Sequence, residues 1–88
     1  MPKADNISLD QLKGGACAVV RELRGGNDFV NRLASMGLSV GSQLEVLQNR
    51  GQGPVLVLVR GTRIGLGRGE ALKILLEESE CEHRASGQ

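Results

Sequence analysis

Aromatic residues are almost absent from this chain. Phe29 is the only one in 88 residues, with no Trp and no Tyr. Sequence-tolerant single-strand nucleic-acid binding relies on aromatic stacking platforms, and proline-rich peptides dock in aromatic-lined grooves. Both activities are disfavoured, and no nucleic-acid partner is expected. Histidine is equally scarce. His83 is the only one, so a Ser-His-Asp or Cys-His arrangement would have to be built near the C-terminus. No paired carboxylates stand out within a protected site, and the expectation is a protein that is not an enzyme. Cysteine is limited to Cys17 and Cys81. Two cysteines make no disulfide framework, and their separation fits no zinc spacing. They are expected to be free thiols in a reducing compartment. No apolar run is long enough to cross a bilayer, and no signal-peptide pattern opens the chain. These absences point to a cytoplasmic protein with no direct membrane insertion.

The length allows one domain with a small core, burying about 60–65% of its unfolded surface. The net charge of +1 hides an asymmetry. Residues 1–76 hold ten of the eleven Lys and Arg but six of the ten Asp and Glu, a balance of +4. Glu77, Glu78, Glu80 and Glu82 make the end acidic. A domain over residues 1–78 followed by an acidic, disordered tail over 79–88 is expected. A mildly basic domain suits an acidic protein surface, anionic headgroups or nucleic acid, and selects none of them.

What the chain does contain is clear local grammar. Asn27 can cap a short helix over residues 27–36, and Asp28 suits the positive end of its dipole. Phe29, Val30, Leu33 and Met36 share one face, which reads as a core face. Gly37 stands where a left-handed stop is needed, and Leu38 where a Schellman motif wants an apolar contact back to Leu33. Val40-Gly41 suits the centre of a type II turn.

The rest reads as β structure. Ser8 to Leu12 suits one helical turn, and residues 1–7 a loose lead-in. Strands are expected at 16–23, with a bulge, and at 43–48, 55–59, 62–67 and 73–77, with Ile74 and Leu76 inward. A two-residue turn at Arg60-Gly61 pairs Val59 with Thr62, Val57 with Ile64 and Val55 with Leu66, which sets all the apolar partners on one face. Five short strands and one small helix suggest a mainly β, partly open antiparallel barrel.

Three features bear on function. Gly65-Leu-Gly67-Arg-Gly69 is glycine-rich but matches neither the Rossmann nor the P-loop spacing. Gly65 and Gly67 instead read as places where another backbone or a bulky side chain comes close. Cys81 and His83, flanked by glutamates, are weak candidates for a soft or borderline metal, with no evident second shell. No resident cofactor is expected. Alternation directs Leu47, Leu56 and Leu58 away from the core on adjacent strands, beside Gly65. A cluster of that kind marks an interaction surface, unless the N-terminal segment or the acidic tail covers it.

The order and spacing of several pieces resemble the ferrous-iron transport protein A (FeoA) family over residues 7–77. They are Ser8-Leu9 with Leu12 and Gly15, Leu33-Ala-Ser-Met36-Gly37-Leu38 before Gly41, Pro54-Val-Leu-Val-Leu-Val-Arg-Gly61, Ile64-Gly-Leu66, and Glu70-Ala71 leading to Ile74. Val40 departs from the family's usual turn proline, and Leu56 and Leu58 stand where polar residues are commoner. The resemblance implies an SH3-like barrel. It also implies an accessory of ferrous-iron uptake acting on the GTPase-bearing cytoplasmic region of the transporter FeoB. The matched residues are turn glycines and core positions, so no catalytic or metal site carries over. The partner surface is expected to comprise Leu47, Leu56, Leu58, Arg60, Arg63 and Gly65. Alternatives are a small metal-binding or metal-responsive protein using Cys81 and His83, or an SH3-like interaction module of a metal-dependent transcription regulator. An exposed leucine face also fits a homo-oligomer.

Overall fold

The computed structural model describes residues 6–81. Six antiparallel strands run in the order β1-β6-β2-β3-β4-β5. They are β1 (Ile7–Ser8), β2 (Cys17–Leu23), β3 (Gln43–Gln48), β4 (Val55–Val59), β5 (Thr62–Leu66) and β6 (Ile74–Ser79). A 3-10 turn at Leu9–Gln11, helix α1 (Asn27–Ser35) and the single-turn helix α2 (Arg68–Ala71) fill the connections.

The helix stop follows the sequence. Gly37 has φ +91°, the Leu38 N–H donates to the Leu33 carbonyl at 2.9 Å, and the Gly37 N–H donates to Ala34 at 2.9 Å. That is the complete Schellman pattern, and Leu33 and Leu38 are both fully buried. The start differs. Gly26, not Asn27, is the N-cap, because its carbonyl accepts the first helical bond from Val30 at 3.1 Å, and no side chain caps the end. Val40-Gly41 forms the expected turn, with Gly41 at φ +95° and the Ser42 N–H on the Ser39 carbonyl at 2.9 Å.

The β4–β5 hairpin has the expected register, Val59 with Thr62, Val57 with Ile64 and Val55 with Leu66. Its turn residues Arg60 and Gly61 both have positive φ, 52° and 79°. This mirror-image turn matches the right-handed twist of the strands. Strand β1 was missed because two residues are too short for any periodicity to register. It pairs Ile7 with Leu76, so β6 is flanked by β1 and β2. Strand β6 also extends to Ser79, beyond the expected tail boundary, because Ser79 pairs with Cys17.

The inner face is apolar throughout. Val20, Val46, Val55, Val57, Leu66, Ile74 and Leu76 pack with Leu9, Leu33 and Leu38, and no polar or charged residue is buried among the described residues. Phe29 is only partly buried and packs at the core margin. A polar clamp ties the ends of the structure together. Asn49 Nδ2 donates to the carbonyls of Asp10 (3.0 Å) and Leu12 (2.6 Å). Its Oδ1 accepts from the Gly51 N–H and from Arg68 Nη1, both at 3.1 Å.

Candidate functional site

The strand registers create a continuous row on the outer face of the sheet. Ser79 pairs with Cys17, Cys17 with Glu45, Glu45 with Leu58, and Leu58 with Arg63. Antiparallel partners share a face, so these five residues from β6, β2, β3, β4 and β5 lie side by side. A parallel row holds Gln48, Leu56 and Gly65. None of these residues is buried.

This arrangement brings together most of the expected partner surface. Leu56, Leu58, Arg63 and Gly65 share the outer face of β4 and β5. Leu56 and Leu58 are half-buried, and Arg63 and Gly65 are exposed. Arg60 stands at the hairpin tip, the only non-glycine residue with positive φ among the described residues, and its Cδ would lie 3.8 Å from a Cβ placed on Gly37. Leu47 belongs to the set less directly. It is half-buried and occupies a bulge, because the β3–β4 register shifts between Val46 and Gln48. A bulged residue faces no single partner. The large apolar residues most open to solvent are instead Val40 (61%) and Leu72 (56%), which the alternation argument cannot find because both sit in turns.

Two readings of the glycines and cysteines need correction. Gly65 is not a point of close approach, since a Cβ there would meet nothing within 4 Å, and at Gly67 the nearest atom is Glu70 Oε1 at 4.0 Å. The bare strand is open to solvent. The cysteines are not free thiols. Cys17 and Cys81 are joined in a disulfide with their Cα atoms 5.1 Å apart at a sequence separation of 64. Spacing alone could not show this, because the two meet only once β6 has paired with β2. The Cys81 sulfur also lies 3.5 Å from the Gly15 carbonyl oxygen. A disulfide sulfur carries no proton, so this is a contact and not a hydrogen bond. Nor can that sulfur act as a thiolate ligand in this form. His83, the other weak metal candidate, lies outside the described residues, and no group of three potential metal-ligating side chains occurs among the described residues.

The disulfide borders an open groove of about 280 Å³. Ser79, Glu80 and Cys81 form one wall, and Gln43, Leu44, Glu45, Leu58, Arg60 and Gly61 face it. The end of β6 thus shares this groove with Leu58. The charge pattern around the groove is uneven. Arg21 pairs with Glu77, Arg24 with Glu22 and Arg32 with Glu70. Arg68 is held by Asn49 and by the carbonyls of Gly53 and Asp10. Arg60 and Arg63 make no ion pair among the described residues. No helix is long and apolar enough to cross a membrane among those residues.

Known proteins share both the sequence pattern and the fold. The FeoA domain family model matches residues 7–78. A protein of Methanocaldococcus jannaschii, provisionally assigned as an Fe(2+) transport protein A, is 40% identical over 68 residues, covering 77% of this chain and 82% of its own length. The crystal structure of an iron uptake regulatory protein, FeoA, superposes with a TM-score of 0.80 at 28% identity, covering 85% of this chain and all of that one. FeoA of Stenotrophomonas maltophilia, crystallised with zinc and described as an SH3 domain protein, gives a TM-score of 0.69 at 28% identity, covering 81% of this chain and 89% of that one. The barrel is SH3-like, and the chain belongs to the FeoA family of ferrous iron transport proteins.

Proposed function

We propose that this chain is a non-enzymatic cytoplasmic accessory of ferrous-iron uptake that binds the GTPase-bearing cytoplasmic region of the membrane transporter FeoB. The observation that carries this reading is the outer face of β4 and β5. Half-buried Leu56 and Leu58 lie there beside exposed Arg63, with Arg60 at the adjoining tip, and neither arginine is neutralised by an ion pair among the described residues. Apolar side chains that are already partly desolvated supply affinity, and rim arginines supply orientation and association rate. Family membership supplies the transport system.

The test is calorimetric titration of the purified chain into the soluble GTPase-containing region of the matching FeoB, with and without guanine nucleotide. Saturable binding that is lost with Leu56→Glu is the expected result. No binding at high micromolar protein would remove the GTPase region as the target.

A further inference from the structure

We infer that Cys17 and Cys81 are a reversible dithiol–disulfide pair whose oxidation state opens and closes the groove beside Leu58. The consequence for partner binding rests on the function proposed above; the switch itself does not. Both cysteines are half-buried and not enclosed, so an attacking thiolate can reach the bond. Strands β2 and β6 pair through the backbone ladder from Leu23–Ile74 to Cys17–Ser79, and the bond lies just past its end. It holds what lies beyond the ladder. Strand β6 ends at Ser79, and among the described residues no turn or loop backbone hydrogen bond involves Glu80 or Cys81. These two residues, with Ser79, form one wall of the groove. The covalent link at Cys81 is therefore what keeps Glu80 and Cys81 in that wall.

The exchange balances with a dithiol reductant of the thioredoxin class. A reductant thiolate attacks one sulfur of the pair and forms a mixed disulfide, and its second thiolate displaces the protein sulfur. The reductant loses two electrons and becomes a disulfide. Cys17 and Cys81 gain those electrons with two protons and become thiols. In the dithiol form Glu80 and Cys81 lose their covalent tether to β2. Glu80 then leaves the groove that Arg60 also lines, and the groove beside Leu58 and Glu45 opens on that side. The reduced form is the binding-competent one. Its conditions are also those under which iron stays ferrous.

The experiment uses the full chain, purified oxidised, with three readouts. First, the protein is equilibrated in glutathione buffers of varied reduced-to-oxidised ratio and quenched with an alkylating agent for mass spectrometry. Conversion to the dithiol at the cytosolic ratio and reoxidation at higher oxidised glutathione are expected. A pair that stays oxidised throughout overturns the proposal. Second, amide hydrogen exchange is compared between the two forms. Reduction should speed exchange about tenfold at residues 78–81 by local opening that does not respond to low urea, whereas the β4–β5 hairpin should change only through the global loss of stability. Exchange at residues 78–81 that tracks the hairpin in both forms would mean a structural staple and overturns the proposal. The Cys17→Ser/Cys81→Ser double variant should behave as the reduced form. Third, the reduced chain should bind the FeoB GTPase region about tenfold more tightly than the oxidised chain. Equal affinity overturns the control of binding. Binding by neither form counts against the proposed partner, and the first two readouts then decide the switch.

Discussion

Cys17 and Leu58 stand in one cross-strand row on the outer face, separated only by Glu45, which pairs with both. The disulfide and the apolar part of the candidate interface are thus two strands apart on a single surface. A change at one can reach the other without passing through the core.

Leu56→Glu should weaken FeoB binding at least about 30-fold, equivalent to the roughly 2 kcal/mol that defines a hot spot. Leu56 is half-buried and lies opposite Gly65, which offers it no Cβ to pack on. The far-ultraviolet spectrum should stay unchanged and the melting temperature nearly so. Unfolding together with loss of binding would place Leu56 in the core and defeat the interface.

Arg60→Asn should stabilise the fold and weaken the interaction. Arg60 holds φ 52° in a turn where both central residues are left-handed. A non-glycine residue there costs about 1 kcal/mol, and Asn-Gly is the preferred pair for this turn. Chemical denaturation should show a gain of about 0.5–1 kcal/mol. Titration should show a slower association rate, more so at low salt. A variant that binds as well as the parent would show that Arg60 is merely tolerated in its turn.

Gly37→Ala should destabilise by about 1–2 kcal/mol, the cost of a left-handed alanine. The new Cβ would meet only Arg60 Cδ at 3.8 Å and Val59 Cγ1 at 4.0 Å, which are ordinary contacts. The penalty is therefore conformational and not steric. Gly37→Asn should recover part of it, since asparagine tolerates this conformation. Equal stability of all three forms in urea would contradict the assignment.

Asn49→Ala should cost about 1–3 kcal/mol, because the carbonyls of Asp10 and Leu12 lose a donor and Arg68 loses an acceptor. Asn49→Asp separates the two roles. It keeps the acceptor for Arg68 and Gly51 but turns a second carboxylate oxygen toward two carbonyls. If aspartate were as stable as asparagine, the donated bonds would be dispensable.

Reducing the Cys17–Cys81 bond should lower stability by up to about 4 kcal/mol, from the chain-entropy cost of opening so long a loop. Paired urea titrations with and without a dithiol reductant measure this. A midpoint that does not move would show that the disulfide constrains only the segment beyond β6.

The elements that could be read from the sequence are those set by near neighbours. The β4–β5 register was legible because Val59 and Thr62 are separated by a two-residue turn, and a slip of one residue would turn Val55, Val57, Ile64 and Leu66 out to solvent. The stop at Gly37 was legible for the same reason. The Asn27 cap failed because Gly26 can adopt the extended cap conformation equally well, and side-chain preference does not decide between adjacent residues.

The candidate surface divides along the same line. Period-two alternation put Leu56, Leu58, Arg63 and Gly65 on the outer face, and the strand pairing agrees. Alternation could not place Leu47, because a bulge breaks the period that the argument uses. Nor could it see that the end of β6 lines one groove with Leu58.

The sequence by itself determined where strands begin and turn, which side chains face inward, and the family to which the chain belongs. These follow from contacts between residues a few positions apart, where the backbone has few alternatives. Only the tertiary structure decided that Cys17 meets Cys81, that Ser79 joins the row leading to Arg63, and that Arg60 and Arg63 find among the described residues none of the acidic partners that Arg21, Arg24 and Arg32 have. Those outcomes depend on β6 returning across more than fifty residues to lie beside β2. That pairing is selected by the burial of Val20, Ile74 and Leu76 in a shared core, which no local pattern encodes.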